Sequence, residues 1–154
     1  MVSSILTEAL NDVFKPLGFR KKSANWYRVS GDLYCVVNVQ KSPWGDGSCD
    51  VNIGFAPAVK AEKGWLPESK CLLRFRAGAI TSVSREGLNL LSVETAELRG
   101  EDALRADLVE KIADPVARAV NPIDSIQGLR SLLRTNVNNQ VFIHRELQDE
   151  LMSP

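Results

Sequence analysis

Six residues of this chain have the chemistry to grip an anion. Arg28, Arg74 and Arg76 supply guanidiniums, and Asn38, Gln40 and Asn52 supply side-chain amides. Guanidiniums fork onto carboxylate or phosphate, while amides offer both donors and acceptors. All six fall in strand-like stretches, where successive side chains alternate between faces. The apolar set of each stretch takes one face and these six take the other. If the strands are neighbours, the six form one polar patch. Such a patch would recognise an acidic protein segment or a small anionic ligand. The alternative is an ordinary solvated face, common on antiparallel sheets. Such faces carry Lys, Glu and Thr; this one is richer in Asn, Gln and Arg.

The run Gln40-Lys41-Ser42-Pro43-Trp44-Gly45 adds Lys41 and Trp44 at the mouth of a Gly/Pro loop. Trp44 is either a lid on the edge of the core or an exposed anchor of the kind interfaces favour. The packed role is the expectation. Arg20-Lys21-Lys22 follows a helix, where cations complement the helix dipole. Together with Lys15, Arg28 and Lys41 it would make a basic patch, with Trp26 and Trp44 stacking on bases. That is a nucleic-acid reading through the basic N-terminal half. No helix-turn-helix, KH or ribonucleoprotein pattern accompanies it.

Covalent chemistry has less to work with. His144 is the only histidine, and it lies in a helix-like stretch beside Arg145 and Glu146. Cys35, Cys49 and Cys71 lie in strand-like stretches without C-x-x-C spacing, which reads as buried free thiols. There is no G-x-G-x-x-G and no P-loop. No catalytic set, metal site or cofactor is therefore expected. The competing class is an enzyme acting on a phosphorylated or anionic substrate in the same polar groove.

The elements that must position these residues follow from periodicity. Residues 4–15 read as a helix capped by Ser4 and ended by Pro16 and Gly18. Residues 26–29 and 33–40, joined by Ser30-Gly31-Asp32, read as a hairpin. Residues 49–55 alternate cleanly, with Val51, Ile53 and Phe55 on one face. Residues 57–67 read as a loop. Residues 70–77 read as a strand with Cys71, Leu73 and Phe75 inward. Residues 78–91 fit short strands or turns. Leu104, Leu108, Ile112, Val116 and Val120 form one helical stripe interrupted at Asp114-Pro115. There the helix either kinks or restarts with Asp114 as its cap. Asp124 caps a further short helix, and Val141 to Met152 reads as a terminal helix.

Strands in a row followed by helices in a row predict an α+β fold. The expected form is an antiparallel sheet with an N-terminal helix and C-terminal helices packed on one face. With 154 residues, 44% hydrophobic and 25% charged, one domain spanning 1–154 is expected, its residues 136–154 forming a C-terminal extension helix. The extension's Val141, Phe142, Leu147 and Leu151 would leave an apolar face open to a second copy, a homodimer contact. No run of about 18 apolar residues occurs, and the N-terminus lacks the pattern of a signal peptide. A cytoplasmic setting without membrane contact is the expectation.

Several segments carry a resemblance. They are Lys15-Pro16-Leu17-Gly18-Phe19-Arg20-Lys21-Lys22, Trp26-x-Arg28, Val37-Asn38-Val39-Gln40-Lys41-Ser42-x-Trp44-Gly45, Val51-Asn52-Ile53-Gly54 and Leu73-Arg74-Phe75-Arg76-Ala77-Gly78. In this order they resemble an uncharacterised bacterial family, domain of unknown function 4304, over roughly residues 5–134. Leu90-Leu91 stands where that family has an aromatic pair, and the tail beyond Asn136 has no counterpart. The resemblance implies a fold and a bacterial cytosolic setting, and no reaction. Non-catalytic recognition is the functional expectation, with toxin neutralisation as one concrete form by family analogy.

The 19 basic and 19 acidic residues cancel overall but not locally. Through Arg76 there are 11 basic and 7 acidic residues, a surplus of four positive charges; the remainder carries the opposite surplus. An acidic partner would land on the sheet half.

Overall fold

The computed structural model describes residues 2–96 and 98–152. The order of elements is α1 (Val2–Phe14), β1 (Arg20–Lys22), β2 (Asn25–Ser30), β3 (Leu33–Lys41), β4 (Cys49–Pro57), β5 (Leu73–Arg76), α2 (Arg85–Asn89), α3 (Val93–Ala96), α4 (Glu101–Leu108), α5 (Asp114–Val120), α6 (Ile126–Thr135), β6 (Val141–Ile143) and α7 (Arg145–Met152). The six strands form one antiparallel sheet in sequence order, β1-β2-β3-β4-β5-β6. This is the expected α+β class.

Helix α1 buries Val2, Ile5, Leu6, Ala9, Leu10 and Phe14, a stripe at helical spacing that faces the sheet. It begins at Val2, so Ser4 lies inside it and is not its cap. The sheet returns the complementary surface: Trp26, Val37, Ile53, Phe55 and Leu73 are fully buried and belong to the same cluster as Leu6, Leu10, Leu108 and Ile112. Trp26 therefore cannot stack on bases. Its indole instead donates to Asn11 Oδ1 at 3.2 Å, which satisfies the polar end of a buried aromatic.

The β2–β3 turn is docked as well as tight. Gly31 sits at φ +58°, and a Cβ there would lie 2.4 Å from Asp124 O. That carbonyl accepts from Asp32 N at 3.0 Å. Asp124 thus contributes its backbone to the hairpin, and the cap of α6 is its neighbour Ser125, whose hydroxyl accepts from Gly128 N at 3.0 Å.

The restart expected as one alternative at Asp114-Pro115 does not occur. Ala113 and Asp114 both keep helical backbone angles, so Asp114 is no cap. The chain passes from α4 to α5 through a π-helical turn, Val109–Ala113. Pro115 has no N–H to bond the carbonyl four residues back, and the wider turn just before it accommodates that loss.

The segment 78–91 holds a helix, α2, where short strands or turns were expected; Ser84 caps it by accepting from Gly87 N at 3.0 Å. Leu90 and Leu91 are buried. The C-terminal stretch is corrected too. Val141–Ile143 is not helical but forms edge strand β6, pairing Phe142 with Arg74. Helix α7 follows it, and Leu147 and Leu151 are buried in the chain's own core. Of the apolar face expected to await a second copy, Leu147 and Leu151 are covered from within, while Phe142 remains exposed. Residues 137–151 are part of the domain rather than an appendage to it.

The face of the sheet away from the helices is partly covered. Residues 58–72, expected as a loop through residue 67 and as strand from residue 70, cross it as a strap containing three 3-10 turns, Ala58–Lys60, Glu62–Gly64 and Glu68–Lys70. Beneath it lies a second small core of Tyr34, Val36, Ala61 and Cys71, flanked by Tyr27, Trp65 and Leu66. Tyr34 OH donates to Leu66 O at 2.7 Å, and the Tyr27 and Trp65 rings meet edge-on at 5.0 Å. Lys60 ties the strap to α7 through Glu146 at 3.1 Å. Cys71 belongs to this face, opposite Leu73 and Phe75, because regular strand begins only at Leu73.

Candidate functional site: the open half of the sheet

Cross-strand register decides which of the singled-out residues meet. Asn25, Asn38, Asn52 and Arg76 are successive partners across β2, β3, β4 and β5. On the row to one side Gln40 faces Asp50, and on the row to the other side Arg74 lies between Gly54 and Phe142. Five of the expected residues, Asn38, Gln40, Asn52, Arg74 and Arg76, therefore share the strap side of the sheet, on the half the strap leaves uncovered.

The amides are wired in one direction. Asn52 Nδ2 donates to Gln40 Oε1 at 2.9 Å and to Asn38 Oδ1 at 3.2 Å. Asn38 Nδ2 donates to Asn25 Oδ1 at 2.8 Å, and Asn25 Nδ2 to Lys22 O at 3.0 Å. Asn52, 7% exposed, is the one polar side chain among the buried residues described. Its burial is offset by these bonds, as a buried amide requires. The chain of bonds fixes amide orientations on the cleft floor, and fixed dipoles recognise better than free ones.

Each guanidinium of this face already meets a carboxylate. Arg74 Nε donates to Glu68 Oε1 at 3.1 Å, and its NH1 to Ser69 O at 3.3 Å, so the strap holds it. Its Cζ lies 5.6 Å from the centre of the Phe142 ring, a cation–π contact. Arg76 is looser: its NH1 is 3.6 Å from Asp50 Oδ2, and its side chain is 64% exposed. Together these groups line a cleft of about 560 Å³ that includes Gln40, Asn52, Glu68, Arg76, Gln140 and Phe142. Arg76 and Gln140 also border a second cleft of about 430 Å³ that runs toward α2 over Leu88 and Leu91.

Three expected members are elsewhere. Arg28 stands on the helix side, two residues from Trp26 and sharing its face. Its NH1 donates to Leu17 O and to Asn121 Oδ1, both at 2.9 Å, and its NH2 to Asn121 O at 3.0 Å. It also lies 4.4 Å over the Phe19 ring. Arg28 therefore fastens the ends of two helical segments to the sheet. Lys41 has the same parity as Val37 and Val39, so it ends β3 on the helix side, exposed. Trp44 does not pack on the core: it stands 87% exposed in the loop Ser42–Ser48. The loop's base is held by Ser42 N to Ser48 O at 2.8 Å, and Ser48 Oγ accepts from Val93 N at 3.3 Å.

Sequence reasoning missed Asn25, Glu68, Asp50, Gln140 and Phe142. Asp50 carried a usable signal, since it has the strand parity of Asn52, whereas Asn25 has the opposite parity to Arg28, the residue chosen in its strand. Glu68 and Phe142 carried none, because a strap and a three-residue strand bring them in.

The thiols offer no nucleophile at neutral pH. Burial pushes Cys35 well above the usual thiol range, Cys49 up to about 11 and Cys71 up to about 12. Among the described residues no three His, Cys, Asp or Glu side chains gather where they could hold a metal ion. No helix of the described residues is long and apolar enough to cross a membrane.

A family model described as a domain of unknown function, DUF4304, matches residues 10–123. The chain belongs to the DUF4304 family. The matched span runs from within α1 through β1–β5 to the end of α5, so it includes the amide ladder, Arg74 and Arg76. For this DUF4304 member, β6 and α7 lie outside the match, although β6 supplies Phe142 to the cleft. No curated protein and no solved structure matches the chain.

Proposed function

We propose that this protein is a binding module, and that an acidic segment of a partner protein lies across the open half of its sheet. The observation that carries this reading is the cleft itself, where oriented amides lie beside a guanidinium that its own carboxylate holds loosely. Asp50 at 3.6 Å is a poor match for Arg76, so a better-placed carboxylate competes for the fork. Phe142, 52% exposed, lines the cleft, and Trp44, 87% exposed in the β3–β4 loop, is a second exposed aromatic. Aromatic anchors beside arginine are the composition expected of a hot spot. The cationic surplus of the sheet half favours encounter with an acidic partner.

The test uses the whole chain and a fluorescein-labelled octapeptide of alternating Glu and Phe, with a Lys/Phe peptide as control. Anisotropy should rise with the acidic peptide alone and weaken with salt. Arg76→Ala should weaken that binding about tenfold, the worth of one charge-assisted contact. Trp44→Ala should weaken it while leaving the melting temperature unchanged. Equal binding of the acidic and basic peptides, or no loss in Arg76→Ala, would overturn the reading.

A further inference from the structure

A separate cleft opens where edge strand β1 stops. Strand β1 pairs with β2 only as far as Tyr27, while β2 continues to Ser30. The strap turn at Lys63-Gly64 comes up beside this gap. The two enclose a cleft of about 360 Å³ lined by Gly18, Arg20, Tyr27, Arg28, Lys63 and Gly64, within the range of about 300–1,000 Å³ typical of small-ligand sites. Three of these residues are cations, and no carboxylate is among those lining the cleft.

Their charges are also unspent. The ion pairs of the described residues include none to Arg20, Arg28 or Lys63. Arg28 is held by neutral carbonyls and an amide, so its charge is fixed in place but not neutralised. Its Nε is buried with no hydrogen-bond partner. Lys63 adds a second, independent sign. Its backbone sits at φ +54°, a left-handed conformation that glycine adopts freely and lysine does not. Strain of this kind collects at binding sites, where a side chain is kept for what it contacts.

We infer that this cleft binds a phosphoryl group, carried either by a small phosphate ester or by a phosphorylated side chain. Three cations around one cleft exceed what a single carboxylate can use, and they match a dianion with three acceptor oxygens. Arg28 supplies a fixed positive charge, and Arg20 and Lys63, both exposed, close on the ligand. Tyr27 forms part of the wall. The site is independent of the peptide-binding face and shares no residue with the cleft at Arg76.

Backbone amide NMR of the whole chain, titrated with inorganic phosphate, tests it. Saturable shifts centred on Gly18 and Gly64 are expected. Arg20→Ala and Lys63→Gly should each weaken binding about tenfold. Lys63→Gly relieves the strained backbone, so its melting temperature should not fall, which separates lost binding from lost fold. Arg76→Ala should bind phosphate as the parent does, even if the peptide-binding proposal fails. A second titration uses a phosphoserine peptide and its unphosphorylated twin. Tighter binding of the phosphopeptide than of phosphate identifies a protein-borne group; equal binding identifies a small ester. Shifts that never saturate, or an Arg20→Ala/Lys63→Gly double variant that binds as the parent does, overturn the inference.

Discussion

Replacing Gly54 by alanine sets a single methyl group against the strap. A Cβ at this position would lie 2.7 Å from Cys71 Sγ, 2.9 Å from Cys71 Cβ and 3.3 Å from Val36 Cγ1. Carbon atoms pack comfortably at about 3.5–4.0 Å, so all three contacts are too close. Rotating the thiol relieves only the first of them. The second involves Cys71 Cβ, whose position follows the strap backbone, and Cys71 N is tied to Glu68 O at 3.0 Å. The strap must therefore lift. Overpacking of this kind costs about 1–3 kcal/mol, and each kcal/mol lowers the melting temperature of a chain this size by about 2–4 °C. Two assays read the effect. Thermal unfolding should drop by that amount. Cys71, whose thiol burial now pushes up to about 12, should become reactive toward a thiol reagent at pH 8. Adding Cys71→Ala removes the sulfur but not the Cβ contact, so it should restore part of the loss. A Gly54→Ala protein that melts with the parent and keeps Cys71 unreactive would refute the docking of the strap on the sheet.

Further expectations concern the frame around the cleft. Arg28→Ala strands Leu17 O and both Asn121 oxygens and should cost about 2 kcal/mol in urea unfolding. Arg28→Lys should recover little, because a single ammonium nitrogen cannot span the acceptors that two guanidinium nitrogens reach. Leu147→Ala, at a position 1% exposed, should cost about 2–5 kcal/mol; a cost below about 0.5 kcal/mol would mean that α7 is not part of the core. Stability should also fall at high pH. The folded state holds the Cys49 and Cys71 protons up to about 11 and about 12, against 9.0 for a free thiol. Above pH 9 the unfolded chain therefore binds fewer protons than the folded one, and unfolding becomes easier as pH rises toward 11. Urea midpoints measured from pH 8 to 11 check this, and Cys71→Ala should make the decline shallower.

The parts legible in the sequence were those whose period repeats long enough to be unambiguous. Val51, Ile53 and Phe55 alternate over a full strand, and the stripe of α1 runs for three turns. The pairing of β2 with β3 followed from their short connection at Gly31. Strand β6 was not legible, because three residues contain one alternation and merge with the helix behind them. Helix α2 was hidden for a related reason: at five residues it rests on its Ser84 cap more than on periodicity. Arg28 was a different kind of error. Its chemistry suggested the polar face, while its two-residue spacing from Trp26 assigned the helix side, and parity is the stronger rule in a strand. The strap could not have been read. It carries no regular period, and what holds it over Tyr34 and Val36 is shape, seen in the missing side chain of Gly54.

The π turn before Pro115 changes the meaning of a spacing. An α-helix turns about 100° per residue, so a side chain four positions on overshoots a full circle by about 40°. Four such steps, from Leu104 to Val120, would carry the last residue about 160° away from the first. Yet Leu104, Leu108, Ile112, Val116 and Val120 are all at most 2% exposed. A turn bonded five residues back winds less per residue, and it returns the phase that the preceding turns have gained. Strict spacing by four from Leu104 to Val120 is thus out of step with a regular helix. It fits a helix that resets its rotation midway, which keeps both halves aimed at the same sheet.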